Sequence, residues 1–173
     1  NSNVQGNTQL NWLEDLLETA QNDDAVKFIF TSLHHPGHSE TWPDGNTWWV
    51  QNQVIPLLAS HEKVEQLSYG HTHAYERGAT MEGNLRIMCF GGGGGYLDRW
   101  RMYSNQVDYP EIHRSHDYHG YTVIDVDCEN DSYTATAYSL GNSDVQMDNE
   151  EFDSWFRDRN ASPPETPLGL YPN

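Results

Sequence analysis

The chain has nine histidines, and those placed for chemistry fall in two short runs. The first is Leu33-His34-His35-Pro36-Gly37-His38 and the second is Tyr69-Gly70-His71-Thr72-His73-Ala74-Tyr75-Glu76-Arg77. Residues two apart in extended backbone point the same way, so His71 and His73 can present both imidazoles to one place. Gly70 allows a sharp turn just before them. Neutral imidazole suits zinc, iron and similar ions. Surface or core histidines also account for such a pair. His34 adds a third imidazole at the end of a separate apolar run, and buried imidazoles need partners. From spacing alone, a metal site and a set of idle histidines both stay open.

Strands must position these runs. Residues 26–33 are β-branched, aromatic and nearly continuous, which predicts a strand covered on both faces of a layered α/β domain. Residues 63–69 read as a second strand and 85–90 as a third. Ligands collect beyond the carboxyl ends of strands in open α/β sheets, where both histidine runs fall. Leu10, Leu13, Leu16 and Leu17 predict an amphipathic helix over residues 8–20, capped by Asn7 or Thr8. Val50, Val54, Leu57 and Leu58 predict a second helix over residues 47–60, which Pro56 should kink or end. Residues 121–128 and 132–140 predict a hairpin around Glu129-Asn130-Asp131. Residues 150–158 read as a short terminal helix and 162–167 as a linker. This order suits two sheets packed together with helices outside.

The His-His-Pro run, an interval of about thirty-five residues, and then Gly-His-Thr-His-Ala-Tyr-Glu-Arg resemble the C-terminal half of the calcineurin-like metallophosphoesterases. The 70–77 stretch is most similar to the purple acid phosphatase branch, and the resemblance extends over residues 9–140. It implies an α/β fold, the C-terminal half of a four-layer α/β/β/α sandwich, over residues 1–160 as a partial domain, with 161–173 as linker or tail. It implies metal-dependent hydrolysis of phosphate esters at a site holding two ions, of Zn, Fe or Mn. His34 and His71 match ligands of the second metal, and His73 matches a ligand of the first. His35 falls where relatives vary, so it is expected beside the site or exposed rather than as a ligand. His38 lies in a loop that carries substrate-facing histidines, which implies a catalytic contact to phosphate or leaving group. The carboxylate and Asn ligands of this family belong upstream of the first helix. The chain is therefore expected to carry only the histidine half and to be weak or inactive alone. It is also expected to expose an apolar sheet edge or face, and to self-associate or pair with the missing N-terminal half.

A formal net charge of -17, from 26 acidic residues against 9 Lys and Arg, repels phosphate backbones and anionic lipid. It argues against a nucleic-acid-binding or membrane-surface module. No apolar run approaches membrane-spanning length. The charge suits an extracellular or a high-salt setting, and Leu170-Tyr171-Pro172-Asn173 resembles the opening of sorting domains on some secreted bacterial proteins, so a secreted or cell-surface location is expected. Cys89 and Cys128 are either a disulfide between neighbouring strands or two small buried residues. Asp44 and Asp98 have no motif around them and are expected on a solvated surface. The glycine run at 91–95 lacks a following Lys-Ser or Lys-Thr and predicts a close backbone passage after a strand, not a phosphate loop. His113, His116 and His119 read as a solvated loop or the start of a strand ahead of a second metal patch. The competing function is a metal-independent carbohydrate- or ligand-binding module, favoured by Trp42, Trp48, Trp49 and Trp100, or a structural fragment with idle histidines.

Overall fold

The structure is a computed structural model that describes residues 2–81 and 85–161, without the side chains of residues 2–7. The expected linker at 162–167 and the 170–173 segment lie outside the described residues. Helix α1 (Ser2–Gln21) begins earlier than expected, so Asn7 and Thr8 lie inside it and not at its cap. Gly6 weakens a helix without stopping it. Leu10, Leu13 and Leu17 face the core, while Leu16 is exposed one position off that stripe.

Five strands form the first sheet in the order β1-β2-β4-β3-β5. They are β1 (Ile29–Leu33), β2 (Val64–Tyr69), β3 (Tyr75–Ala79), β4 (Arg86–Phe90) and β5 (Ile112–His116). β1, β2 and β4 run parallel, and β3 runs antiparallel between β4 and β5. A bulge at Glu65 separates the Ile29–Val64 and Phe30–Gln66 pairs. It lets Val64 and Leu67 both join the helix-side core. Along β4 the alternation is plain, with Ile87 and Cys89 in the core under the helices and Met88 in the core on the other face.

The crossover between β1 and β2 carries a 3-10 turn (Pro43–Gly45), then a π turn (Val50–Val54) running into α2 (Ile55–Ala59). Pro56 neither ends the helix nor leaves it regular. Its missing N–H and its ring would disturb the turn before it. That turn widens, with the Ile55 N–H bonding to the Val50 carbonyl five residues back.

The second sheet is the antiparallel ribbon β6 (His119–Asp127), β7 (Ser132–Gly141) and β8 (Gln146–Asp158). The expected hairpin is β6–β7. The expected helix at 150–158 is instead part of β8. Glu150 and Glu151 favour a helix locally, but Asp153 and Trp155 are buried while Ser154 and Phe156 are exposed. That period of two belongs to a strand, and pairing along β7 satisfies its backbone. Tyr133, Ala135 and Trp155 meet Met88 between the sheets, with Phe28 and Ile124 packed alongside.

The described residues thus give three layers: helices, the five-stranded sheet and the three-stranded ribbon. One ionic cluster crosses the two sheets. Asp153 on β8 accepts from Arg77 Nε (2.5 Å) and Nη2 (2.9 Å) and from the Tyr75 hydroxyl (2.6 Å), and forms an ion pair with Arg114 Nη1 at 2.7 Å. β1 and β6 are edge strands, and Phe30, Tyr121 and Val123 on them are exposed. A crevice of about 380 Å³ opens beside both, lined in part by Leu33, Tyr69, Phe90 and Tyr121. Both cysteines are free. Cys89 is buried on β4 and Cys128 is exposed in the β6–β7 turn, so the disulfide alternative fails and the buried alternative holds for Cys89 alone.

Candidate metal centre

β1 and β2 are parallel neighbours whose ends coincide, Leu33 opposite Tyr69. The chains therefore leave the sheet together, and the Gly70 N–H donates to the His34 carbonyl at 3.2 Å. The next residue turns back sharply. Thr72 N–H reaches the Gly70 carbonyl at 2.8 Å, and His71 between them has a φ of 68°. This is a γ-turn in the left-handed region, an arrangement of higher energy for a residue with a side chain. It throws the His71 ring toward β1 instead of along β2.

The result is a group of three imidazoles. His71 Nδ1 lies 3.0 Å from His34 Nε2, and the ring centroids of His35 and His71 are 4.3 Å apart. One ligand nitrogen each from His34, His35 and His71 falls within 4.8 Å of the others. Burial lowers the His71 pKa, and the neighbouring rings of His35, His34 and His73 add to that. The ring is therefore held neutral, the form that binds metal. His35 is expected from the resemblance to lie beside the site and not as a ligand, because relatives vary there, yet its ring joins the group. Alternation stops at Leu33, where β1 ends.

His73 stands outside this group. Its backbone N–H donates to Asp98 Oδ2 at 2.8 Å, and its Nδ1 lies 2.7 Å from the Tyr96 carbonyl. A carbonyl accepts only, so Nδ1 carries the proton and Nε2 keeps its lone pair, as in many metal-ligating histidines. Asp98 is buried, not solvated, and also accepts from the Tyr103 hydroxyl at 2.8 Å. Asp44 is exposed and accepts from Asn105. The glycine run makes the close passage expected of it: a Cβ on Gly91 would lie 1.9 Å from the Thr72 carbonyl oxygen. A Cβ on Gly95 would lie 2.7 Å from His73 Cε1.

His38 turns another way. Its ring packs edge-on against Tyr109, Nε2 is 4.0 Å from Glu111 Oε1, and its carbonyl accepts from the Tyr69 hydroxyl. Burial lowers its pKa against the opposing pull of Glu111. His113 and His116 lie on β5 and His119 on β6, so they sit on strands and not in a loop. His116 stacks on Tyr118, while His119 Nδ1 lies 3.0 Å from the Gly92 carbonyl.

Under the crossover loop lies a buried carboxylate. Glu76 Oε1 accepts from the Ser39 hydroxyl (3.3 Å), the Glu40 and Thr41 N–H groups (2.9 Å each) and the Thr41 hydroxyl (2.9 Å). The Thr72 hydroxyl donates to Ser39 Oγ at 2.9 Å, which ties the same loop to the histidine turn. So held, the loop lays Trp42 on His71 with centroids 4.6 Å apart. On the other side of the turn, the buried thiol of Cys89 points at the Thr72 carbonyl (3.4 Å) and the Gly70 carbonyl (3.7 Å).

No protein-family model and no curated protein matches the sequence. Among solved structures, the chain is similar to the purple acid phosphatase PPD1 from yellow lupin (Lupinus luteus) seeds. The TM-score is 0.63 at 16% identity, over 91% of this chain and 31% of that one. It is also similar to GAP50, the anchor in the inner membrane complex of Plasmodium, with a TM-score of 0.62 at 16% identity, over 83% of this chain and 42% of that one. The chain thus spans about a third of the first and two fifths of the second. Its two-sheet α/β fold is similar to that of part of a purple acid phosphatase structure.

Proposed function

We propose that this chain is the histidine-bearing part of a metal-dependent phosphate-ester hydrolase, with His34, His35 and His71 as ligands of a divalent ion. One observation carries the reading: three imidazole nitrogens within 4.8 Å at two adjacent strand ends. The donor set fits such an ion. Metal–nitrogen bonds of about 2.0–2.1 Å put two ligands about 2.9–3.3 Å apart for right-angle to tetrahedral geometry, and His34 Nε2 to His71 Nδ1 is 3.0 Å. At 3.0 Å the same two nitrogens can share a hydrogen bond when one ring carries the proton. Zinc suits three imidazoles best, with iron and manganese as the other candidates.

When bound, the ion supplies acidification of water and neutralisation of phosphoryl charge. The protein's own part is orientation. The γ-turn aims His71, Trp42 covers its ring, and the Tyr96 carbonyl leaves His73 Nε2 free for a second ion. His38, with Glu111 beside it, is assigned proton transfer to the leaving group. Two close cations repel unless a carboxylate lies between them, and none joins the histidine group among the described residues. Hydrolysis by the isolated chain is therefore expected to be slow, with the remaining ligands supplied by pairing with further protein. A secreted or cell-surface location accords with the charge of -17.

A binding or anchoring role without hydrolysis is the second reading, supported by the exposed Trp48 and Trp100 and by the likeness to an anchor protein. Metal content per chain, by elemental analysis after purification without chelator, separates the two. One ion in the wild type and none in His71→Ala supports the hydrolase reading. No ion in the wild type overturns it.

A further inference from the structure

Residues 39–41, between His38 and Trp42, are held by a carboxylate that takes no part in binding an ion. Glu76 lies in β3, with Cys89 of β4 and Ser115 of β5 as its cross-strand partners. Its neighbour Arg77 reaches the ribbon through Asp153, so alternation turns Glu76 to the helix side, under the crossover loop. Ser39, Thr41, Thr72 and Glu76 are each 0% exposed.

Three consecutive residues, Ser39, Glu40 and Thr41, donate to one oxygen of Glu76. An ionised carboxylate accepts without donating, which suits a place where every neighbour is a donor. Ser39 Oγ is the junction. It donates to Glu76, and it accepts from the Thr72 hydroxyl at 2.9 Å and from the Trp42 N–H at 3.2 Å. Thr72 stands between His71 and His73, so a Thr72–Ser39–Glu76 chain of hydrogen bonds joins the carboxylate to the histidine turn.

Both ends of the held segment carry side chains of the centre. At one end Trp42 packs on His71, and the loop passes so close that a Cβ on Gly45 would lie 2.9 Å from Trp42 Cε3 and 3.2 Å from His71 Cδ2. At the other end His38 packs on Tyr109, whose N–H donates to Glu40 Oε1 at 2.9 Å. We propose that Glu76 is a positioning residue of the histidine centre: by fixing residues 39–41 it sets Trp42 against His71 and His38 against Tyr109. It touches neither ion nor substrate. Without its acceptor oxygen, the donors of residues 39–41 are buried with nothing to receive them, which a folded chain avoids. The loop then moves toward water and takes Trp42 off His71. The role assigned to Glu76 rests on the reading of His71 as a metal ligand, whereas the first measurement below needs no metal.

That measurement is the ring-current shift that Trp42 imposes on the His71 ring protons, read by NMR on the whole chain with chelator present. Trp42→Ala supplies the unshifted reference. In Glu76→Ala the His71 resonances should move most of the way to that reference. Leu67→Ala, a core change in the same sheet, should leave them in place. Unmoved resonances in Glu76→Ala, or an equal movement in Leu67→Ala, overturn the proposal. If Glu76→Ala does not fold, Ser39→Ala decides, because it removes the junction; the same movement supports the proposal and an unmoved shift overturns it. Zinc titration supplies the second readout. Glu76→Ala should bind zinc about tenfold more weakly than the wild type, as loss of an outer-shell partner does, and equal affinities overturn the proposal. A wild type that binds no zinc overturns the metal reading itself, a failure distinct from an unmoved shift.

Discussion

Replacing Asp153 by Ala should nearly unfold the protein, although the residue lies far from the histidines in sequence. Asp153 receives three hydrogen bonds at 2.5–2.9 Å from Arg77 and Tyr75 and pairs with Arg114 at 2.7 Å. Its side chain is 3% exposed and that of Arg77 6%. Solvent therefore cannot replace the lost acceptor. Removing one partner of a buried pair costs about 3–5 kcal/mol, because the other charge stays buried and uncompensated. Domains of this size hold about 5–15 kcal/mol in total. With a urea m-value of about 2 kcal/mol/M, the midpoint should fall by about 2 M. Urea titration followed by tryptophan fluorescence reads this, since Trp155 sits beside the cluster. A cycle with Arg77→Met isolates the pair: the double variant should lose much less than the sum of the singles. A loss under about 1 kcal/mol in Asp153→Ala, or additive singles, would refute the claim that this cluster joins the sheets.

Three further outcomes follow from particular contacts. Burial raises the Glu40 pKa from 4.5 to about 8, so the folded state holds one more proton than the unfolded state across that window. Stability should fall as pH rises from 4.5 toward 8, by up to about 1.4 kcal/mol per pH unit, and Glu40→Gln should flatten that slope in urea titrations. An unchanged slope would count against it. His35→Ala should weaken zinc binding by more than the ~10–100-fold typical of an outer-shell partner, and unaltered calorimetric affinity would reduce His35 to packing. Gly95→Ala should push the His73 ring off the Tyr96 carbonyl while shifting stability by less than about 0.5 kcal/mol. Nitrogen-15 shifts of the ring should lose the Nδ1–H signature, and retention of it would disprove the contact.

The sequence made strands legible where their chemistry was continuous, as in β1, β2 and β4, and the hairpin where a polar turn split two alternating runs. The meeting of His34 with His71 followed from parallel strands ending together. What escaped depends on non-local forces. β8 reads as a helix from Glu150 and Glu151, but the alternation of Asp153 and Trp155 is resolved only by a partner sheet. His35 joins the imidazole group because β1 stops one residue before His34, a boundary that periodicity locates poorly. Asp98 reaches His73 from twenty-five residues away, beyond β3, β4 and the glycine run, and no local pattern announces such closure. Pro56 is harmless because one turn widens ahead of it, which hydrophobic spacing does not encode.

The two thiols give the molecule an internal gauge of its own breathing. Cys128 is open to solvent, whereas Cys89 is sealed beneath the carbonyls of Gly70 and Thr72 that frame the γ-turn. A thiol reagent should modify the first at once and the second only when that turn lifts away. The ratio of the two rates then measures the free energy of opening at the one place where histidine geometry is made. An ion bound there should slow the second rate and leave the first untouched.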